Sequence, residues 1–135
     1  MSAARAWGEP LGRARIASVP ADFRVTEQLG FSADGEGPHL LVEIEKMGLS
    51  TIEAMKRLAT HWQVASQAMG YAGRKDRQAV SRQFLTLPWP VNADLPAPET
   101  IVDEADRALH VRSVARHRRK LRIGSLLGNH FELRL

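Results

Sequence analysis

The sequence predicts an α+β fold, with a mostly antiparallel sheet and one or two helices. Short segments in which apolar and polar residues alternate, as in half-buried strands, recur along the chain. One segment after Ser50 instead repeats its apolar residues at intervals of three and four, as an amphipathic helix does. The length of 135 residues suits one domain or part of a larger one.

The first part of the chain predicts strands joined by turns. Residues 1–12 read as a loose arm, and Arg13–Ser18 has the composition of a first short strand. Phe23–Glu27 alternates apolar and polar residues. Residues 34–38 have the composition of a turn, and Leu40–Glu45 reads as the next strand, so a hairpin is predicted here.

The clearest helix begins near Ser50. Ser50 or Thr51 can cap it, and Glu53 follows Ser50 by three residues, as in a capping box. Residues 64–68 predict a further helical turn. The stripe that would face the core is Ile52, Met55, Leu58, Ala59 and Trp62.

The second part predicts further strands around two irregular segments. Residues 71–80 combine a glycine with several charges and predict a loop or tight turn, and the proline-rich residues 88–98 predict an irregular connector. Gly128-Asn129 is a turn signal. The chain ends inside its last strand pattern, so a truncated protein is expected. The predicted strands are Arg82–Leu87, Ala108–Arg116 and His130–Leu135.

Composition narrows the functional classes. The chain has no cysteine, which excludes disulfides and cysteine-based metal sites, and its histidines lack metal-ligand spacing. No glycine-rich loop of a nucleotide-binding type is present. Residues 1–10 lack the apolar region of a signal peptide, and no run approaches a membrane span, so a cytoplasmic location is expected.

Positive charge is concentrated in one part of the chain. The formal net charge is +4, whereas residues 98–106 are acidic and contain no Lys or Arg. Clustered cations of this kind favour a polyanion such as RNA, although a solvated strand edge has the same composition. The cluster comprises Arg112, Arg116, Arg118, Arg119, Lys120 and Arg122.

A second charged segment could carry chemistry. Asp76 is flanked by Arg74, Lys75 and Arg77, and neighbouring cations favour the ionised carboxylate. Such a carboxylate can act as a nucleophile or a base, and a solvated turn with a paired Asp is the alternative.

Two weaker signals lie elsewhere. Phe131 follows a turn signal and could stack on a base, or could be a core residue of a strand. Asp22 and Glu27 could form an acid–base pair, or could be the polar face of a strand.

Several motifs resemble those of TruD-type pseudouridine synthases. Pro20–Glu27 resembles the opening motif P-x-D-F-x-V-x-E, and Gly35–Ile44 looks like the turn and strand that follow it. Tyr71–Val80 resembles the catalytic signature A-G-x-K-D-x-x-A. Arg116–Gly124 and Gly128–Phe131 match two further blocks in the same order. The resemblance extends from about Gly12 to Leu135.

The resemblance implies the first half of a pseudouridine synthase catalytic core. Residues 13–135 would form the N-terminal part of the catalytic domain, and the missing C-terminal part would be a partner. The implied activity is isomerisation of uridine to pseudouridine at position 13 in the D-arm of tRNA, with no cofactor or metal.

The resemblance also implies roles for individual residues. Asp76 matches the catalytic aspartate, as nucleophile or base. The implied substrate-binding residues are Phe131, which would stack on the target base, and Asn129, Glu27, Phe23 and Lys75. The implied contacts to RNA phosphates are Arg74, Arg77, Arg116, Arg118, Arg119, Lys120 and Arg122.

The sequence departs from the family pattern in two respects. Arg15 stands near a position where the family often has lysine, and family members are more than twice as long. A non-catalytic RNA-binding fragment that uses Arg116–Arg122 is therefore an alternative hypothesis. A structural or inert remnant of a disrupted gene is another.

Overall fold

One mixed sheet organises the parts of the chain that the computed structural model describes, residues 23–75, 80–124 and 126–133. The strands in these ranges are β1 (Phe23–Leu29), β2 (His39–Met47), β3 (Gly70–Tyr71), β4 (Val80–Pro88), β5 (Thr100–Asp103), β6 (Ala108–His117) and β7 (Leu126–Leu133). Their order in the sheet is β5-β6-β2-β4-β1-β7, and β3 lies beside β4. The pairing of β1 with β4 is parallel, and the other pairings are antiparallel.

The predicted fold class is confirmed by this arrangement. Helix α1 spans Thr51–Trp62, and the predicted further helical turn is a 3₁₀-helix at Ser66–Ala68. The strands predicted at Phe23–Glu27, Leu40–Glu45, Arg82–Leu87 and Ala108–Arg116 are present with slightly extended ends. The strand predicted at His130–Leu135 begins earlier, at Leu126, and is described as far as Leu133. The predicted arm at residues 1–12 and strand at Arg13–Ser18 lie outside the described residues.

The core lies between α1 and one face of the sheet. Alternate residues of a strand point to the same face, so Leu40, Val42 and Ile44 of β2 share the face that α1 covers. The buried stripe of the helix includes Met55 and Leu58. Burial of these side chains from water supplies the main favourable term that holds α1 on the sheet.

Helix α1 begins at the predicted capping box. The Glu53 backbone N–H donates to Ser50 Oγ at 3.2 Å, and the Ser50 N–H donates to Glu53 Oε1 at 2.8 Å. Gln63 caps the C-terminal end of the helix: its φ of 57° is left-handed, and its N–H bonds back to the carbonyls of Ala59 and Thr60. These bonds satisfy backbone groups that a helix end otherwise leaves open.

Removal of the cap should weaken the fold measurably. We expect Ser50→Ala to lower the free energy of unfolding by about 1 kcal/mol, because the cap bonds at the first turn are disrupted. Urea unfolding followed by circular dichroism measures this change. Ser32→Ala, at an exposed position outside helices and strands, is the matched control. Equal midpoints for the two variants would contradict the capping role.

The predicted hairpin between the first two strands is wrong. Strand β2 pairs with β4 on one side and with β6 on the other, so β4 lies between β1 and β2. The turn after β1 docks on the end of β6, where the Gly35 N–H donates to the Arg116 carbonyl at 3.0 Å. β4 is buried along most of its length, and a strand of that kind takes a central place in a sheet.

The predicted turn at Gly128-Asn129 is also wrong. Gly128 pairs with Gln28 and Asn129 with Glu27, so both residues belong to the ladder between β7 and β1. A turn lies earlier in the chain, at residues 123–124, where Gly124 has a φ of 91°. The sequence pattern does not predict strand β5, because its short apolar run, Ile101 and Val102, lies among acidic residues.

Glu99, which follows the proline-rich connector at residues 88–98, is hydrogen-bonded to α1. Its carboxylate accepts from Trp62 Nε1 at 3.0 Å and contacts His61 Nε2 at 2.9 Å. The hydrogen bond from Trp62, followed by the one from His61, lowers the pKa of Glu99.

In the described part of the chain, no helix has the length and hydropathy to cross a membrane.

Candidate active site

The candidate site lies where β1 and β4 diverge. The two strands pair from Arg24 with Val80 to Thr26 with Arg82, and further along the same edge β3 pairs with β4. The Glu27 carboxylate occupies the gap between β1 and β3. Its Oε1 accepts from the Phe84 N–H at 2.9 Å, so a side chain satisfies the backbone donor between the two pairings.

A buried ion pair joins this gap to the segment that precedes Asp76. Lys75 Nζ lies 2.9 Å from Glu27 Oε2, and the two side chains are 10% and 0% exposed. Both carboxylate oxygens of Glu27 are therefore engaged, one by an ammonium and one by an amide. A charge buried in this way is stable only when it is paired and hydrogen-bonded, so the pair fixes Lys75 relative to β1.

The backbone just before Asp76 is held by hydrogen bonds from several elements. The Ala72 carbonyl accepts from the Gly124 N–H at 2.8 Å, and the Gly73 carbonyl accepts from Gln83 Nε2 at 3.2 Å. The Lys75 N–H donates to Thr51 Oγ1 at 2.7 Å. The segment has no regular secondary structure, yet α1, β4 and the turn after β6 all fix it.

The Lys75 carbonyl accepts hydrogen bonds from two further groups. The Thr51 N–H donates to it at 3.3 Å, and Lys46 Nζ donates to it at 3.4 Å. Lys46 lies at the end of β2 and is 1% exposed. Sequence reasoning did not identify Lys46, although its position in the alternation of Leu40, Val42 and Ile44 placed it on the buried face.

The predicted catalytic residue Asp76 and its neighbour Arg77 lie in residues 76–79, outside the described residues. The chain on either side is described. Lys75 is anchored as above, and Val80 is buried at the start of β4. Arg74 is exposed, and its Nε contacts the Tyr71 hydroxyl at 3.4 Å.

Sheet register brings the distant motif blocks together. Glu27 pairs with Asn129, Val25 with Phe131 and Phe23 with Leu133. The predicted site positions 27, 129 and 131 are thus adjacent on β1 and β7, and Lys75 joins them through Glu27. Residues far apart in the sequence meet because the last described strand pairs with the first.

The basic block at Arg116–Arg122 begins at the end of β6 and continues in a bend, which contacts β3 and β4. His117 and Leu121 are buried, and residues 118–120 between them are exposed. The Leu121 N–H donates to Thr86 Oγ1 at 2.9 Å. A Cβ placed on Gly70 would lie 2.4 Å from the Leu121 carbonyl oxygen, so glycine permits the block to pack on β3.

The cations of the basic block have different surroundings. The Arg116 guanidinium donates to backbone carbonyls that include those of Pro90 at 2.7 Å and Ala93 at 2.8 Å, and it therefore anchors the proline-rich connector. Arg118 is ion-paired with Glu36, and this hydrogen bond raises the pKa of the guanidinium. The side chains of Arg119, Lys120 and Arg122 are exposed.

The described residues contain no cluster of side chains that could bind a metal ion. In residues 23–75, 80–124 and 126–133, no three His, Asp or Glu side chains are grouped so that they could hold an ion. The buried charged groups at the site are instead the ammonium groups of Lys46 and Lys75 and the carboxylate of Glu27.

Comparison with known proteins identifies the relatives of this arrangement. A protein-family model described as tRNA pseudouridine synthase D (TruD) matches residues 6–135. The sequence that forms this fold and carries these motifs thus matches a family of pseudouridine synthases. The chain belongs to the TruD family.

Individual relatives agree with this assignment. A tRNA pseudouridine synthase D of Cellvibrio japonicus is 44% identical over 131 residues, which cover 97% of this chain and 39% of the relative. One of Pseudomonas syringae pv. tomato is 41% identical, with 97% and 36% covered. The chain therefore spans less than two fifths of the length of these curated relatives.

A solved structure is also similar. The crystal structure of a Methanosarcina mazei protein described as a putative tRNA pseudouridine synthase D (TruD) superposes with a TM-score of 0.63 at 27% identity. The match covers 82% of this chain and 24% of that chain. The described sheet is therefore similar to part of a larger family member.

Proposed function

We propose that this chain supplies the catalytic aspartate of an enzyme that isomerises uridine to pseudouridine in tRNA, at position 13 of the D-arm. Asp76 is the proposed catalytic residue. The observation that carries the proposal is the buried anchoring of Lys75 next to Asp76 in a chain of the TruD family. Catalysis requires reacting groups to be held in place, and the segment before Asp76 has that property.

The proposed reaction conserves all atoms of the substrate. The bond between N1 of uracil and C1′ of ribose breaks, the base turns, and a bond forms between C5 and C1′. C5 loses a proton and N1 gains one. Asp76 either attacks the ribose or removes a sugar proton, and both roles require the ionised carboxylate. The Lys46 ammonium, which donates to the carbonyl of the peptide link between Lys75 and Asp76, would favour that form.

The target base would be bound by residues of β7 that lie opposite β1 in the sheet. We assign Phe131 to stacking on the target base and Asn129 to its positioning, because their backbone positions adjoin Val25 and Glu27. Glu27 and Lys75 support the site through their ion pair, and Phe23 begins the strand that carries Glu27. Their role in substrate binding is therefore the shaping of the pocket.

The phosphates of tRNA would be bound by exposed cations around this site. Arg119, Lys120 and Arg122 follow β6, and Arg74 precedes Asp76. Arg77 and Arg118 complete the proposed set, whereas Arg116 binds backbone carbonyls and is assigned to the fold. Such contacts neutralise phosphates and release counterions, so the affinity for tRNA should depend on salt.

The proposal extends to the surroundings of the enzyme. The Cellvibrio japonicus relative is longer than the region that this chain matches, and we propose that a corresponding C-terminal part completes the catalytic domain. The substrate requires a compartment that contains tRNA, and we propose the cytoplasm.

The direct experiment measures pseudouridine on an unmodified tRNA transcript by carbodiimide labelling and primer extension. This chain is assayed alone and after fusion to the C-terminal part of the Cellvibrio japonicus relative. Product at the D-arm uridine would support the proposal. Absence of product from the folded fusion would contradict it and would favour a non-catalytic RNA-binding fragment, the alternative that the exposed cations allow.

The contribution of the basic block can be tested separately. We expect the double variant Arg119→Gln/Lys120→Gln to weaken tRNA binding and to reduce the slope of log affinity against log salt by about 0.7–1 for each phosphate that is no longer neutralised. Filter binding at several salt concentrations gives the slope. Lys56→Gln, which removes an exposed charge from α1, is the control. An unchanged slope in the double variant would exclude these residues from the interface.

A further inference from the structure

Lys46 is a buried cation for which packing alone gives no reason. It is 1% exposed and lies on the face of β2 that α1 covers. Transfer of an ammonium group into such surroundings is unfavourable unless its donors are satisfied. An apolar residue at this position would pack without that penalty. The charge therefore requires another explanation.

The bonds of Lys46 point to the candidate catalytic segment. Its Nζ donates to the Leu49 carbonyl at 2.8 Å and to the Lys75 carbonyl at 3.4 Å. The Lys75 carbonyl belongs to the peptide group that links Lys75 to Asp76. Lys46 thus fixes this peptide group from the side of β2, and Thr51 fixes it from the start of α1.

The neighbouring charges make the ammonium of Lys46 important. Glu27 of β1 and Lys75 form an ion pair and largely offset each other, and Arg74 lies at the exposed surface. Among the described groups around this peptide link, Lys46 supplies a further positive charge in a region of low dielectric. Electrostatic interactions are stronger there than in water.

We propose that Lys46 is a positioning residue for Asp76. It holds the peptide group that leads into the catalytic carboxylate, and its charge favours the ionised form of that carboxylate. The proposal rests on the proposed function of Asp76 and adds a residue from a separate strand. Lys46 acts through the backbone and the electrostatic field, so it should affect turnover more than tRNA binding.

The test compares variants that separate charge from hydrogen bonding, in the fusion with the Cellvibrio japonicus C-terminal part. Lys46→Gln keeps a donor for the two carbonyls and removes the charge. We expect kcat to fall by about 10²-fold, as misplacement of a catalytic group does, with KM within about threefold. The acidic limb of the pH profile of kcat should move to higher pH, because the carboxylate loses a neighbouring cation.

The remaining variants decide between a positioning role and a purely structural one. Lys46→Arg keeps the charge and should recover much of kcat and the original acidic limb. Lys56→Gln, on the exposed side of α1, should behave as the unmodified chain. Folded Lys46→Gln with unchanged kcat and pH profile would overturn the proposal. If Lys46→Gln does not fold, a displaced acidic limb in Lys46→Arg would overturn it.

Asp76→Asn, assayed in parallel, keeps the two proposals distinguishable. If Asp76→Asn retains turnover, the proposed function fails whatever Lys46 does. If Asp76→Asn is inactive and Lys46→Gln is fully active, the inference on Lys46 alone fails.

Discussion

Asp76→Asn is expected to reduce pseudouridine formation by about 10²-fold or more, because a positioned base or nucleophile contributes at least that factor. The amide has almost the same shape as the carboxylate but cannot attack the ribose or accept a proton. The affinity for tRNA should stay within about twofold, since the binding energy is assigned to phosphate and base contacts elsewhere.

The measurement is single-turnover pseudouridine formation on a tRNA transcript, with binding measured on the same preparations. Asp103→Asn makes the same chemical change at an exposed position of β5 and is the control. Loss of turnover together with loss of binding would indicate damage to the fold. Turnover in Asp76→Asn equal to that of Asp103→Asn would remove Asp76 from the mechanism.

Local patterns predicted most of the elements in the described chain. The alternation in Leu40–Glu45 and the capping box at Ser50 depend on neighbours in the sequence, and the structure contains both features. The pairing of strands depends on distant contacts instead. β4 separates β1 from β2 because its burial requires neighbours on both edges, and the turn composition of residues 34–38 does not encode that requirement.

The turn signal at Gly128-Asn129 shows the same limit. The dipeptide favours a two-residue turn, but β1 offers backbone partners to both residues, and the ladder prevails. A propensity is a small free-energy preference that tertiary contacts can override.

The candidate site was predictable as a set of motifs but not as a geometry. Family resemblance singled out Glu27 and Lys75, whereas their ion pair depends on the divergence of β1 from β4. Lys46 carried a usable signal, because a lysine in phase with three buried residues of one strand is unusual. Its bond to the Lys75 carbonyl required the structure.

The ion pair between Glu27 and Lys75 leads to the second large effect. Glu27→Gln should lower the free energy of unfolding by about 3 kcal/mol, the lower part of the range for removal of one partner of a buried pair. The Phe84 N–H can still donate to the amide oxygen, so the change isolates the lost charge. The Lys75 ammonium would then remain buried beside a neutral group.

Urea unfolding of the single and double variants measures the coupling. Lys75→Met combined with Glu27→Gln should be less destabilised than the sum of the two single changes, because no unpaired charge remains. Glu104→Gln is the matched control, since its carboxylate is 49% exposed and its pairing with Arg107 should contribute less than about 1 kcal/mol. Additive effects at Glu27 and Lys75 would mean that the pair does not act as a unit. The anchoring of the segment before Asp76 would then have to come from Thr51, Gln83 and Lys46.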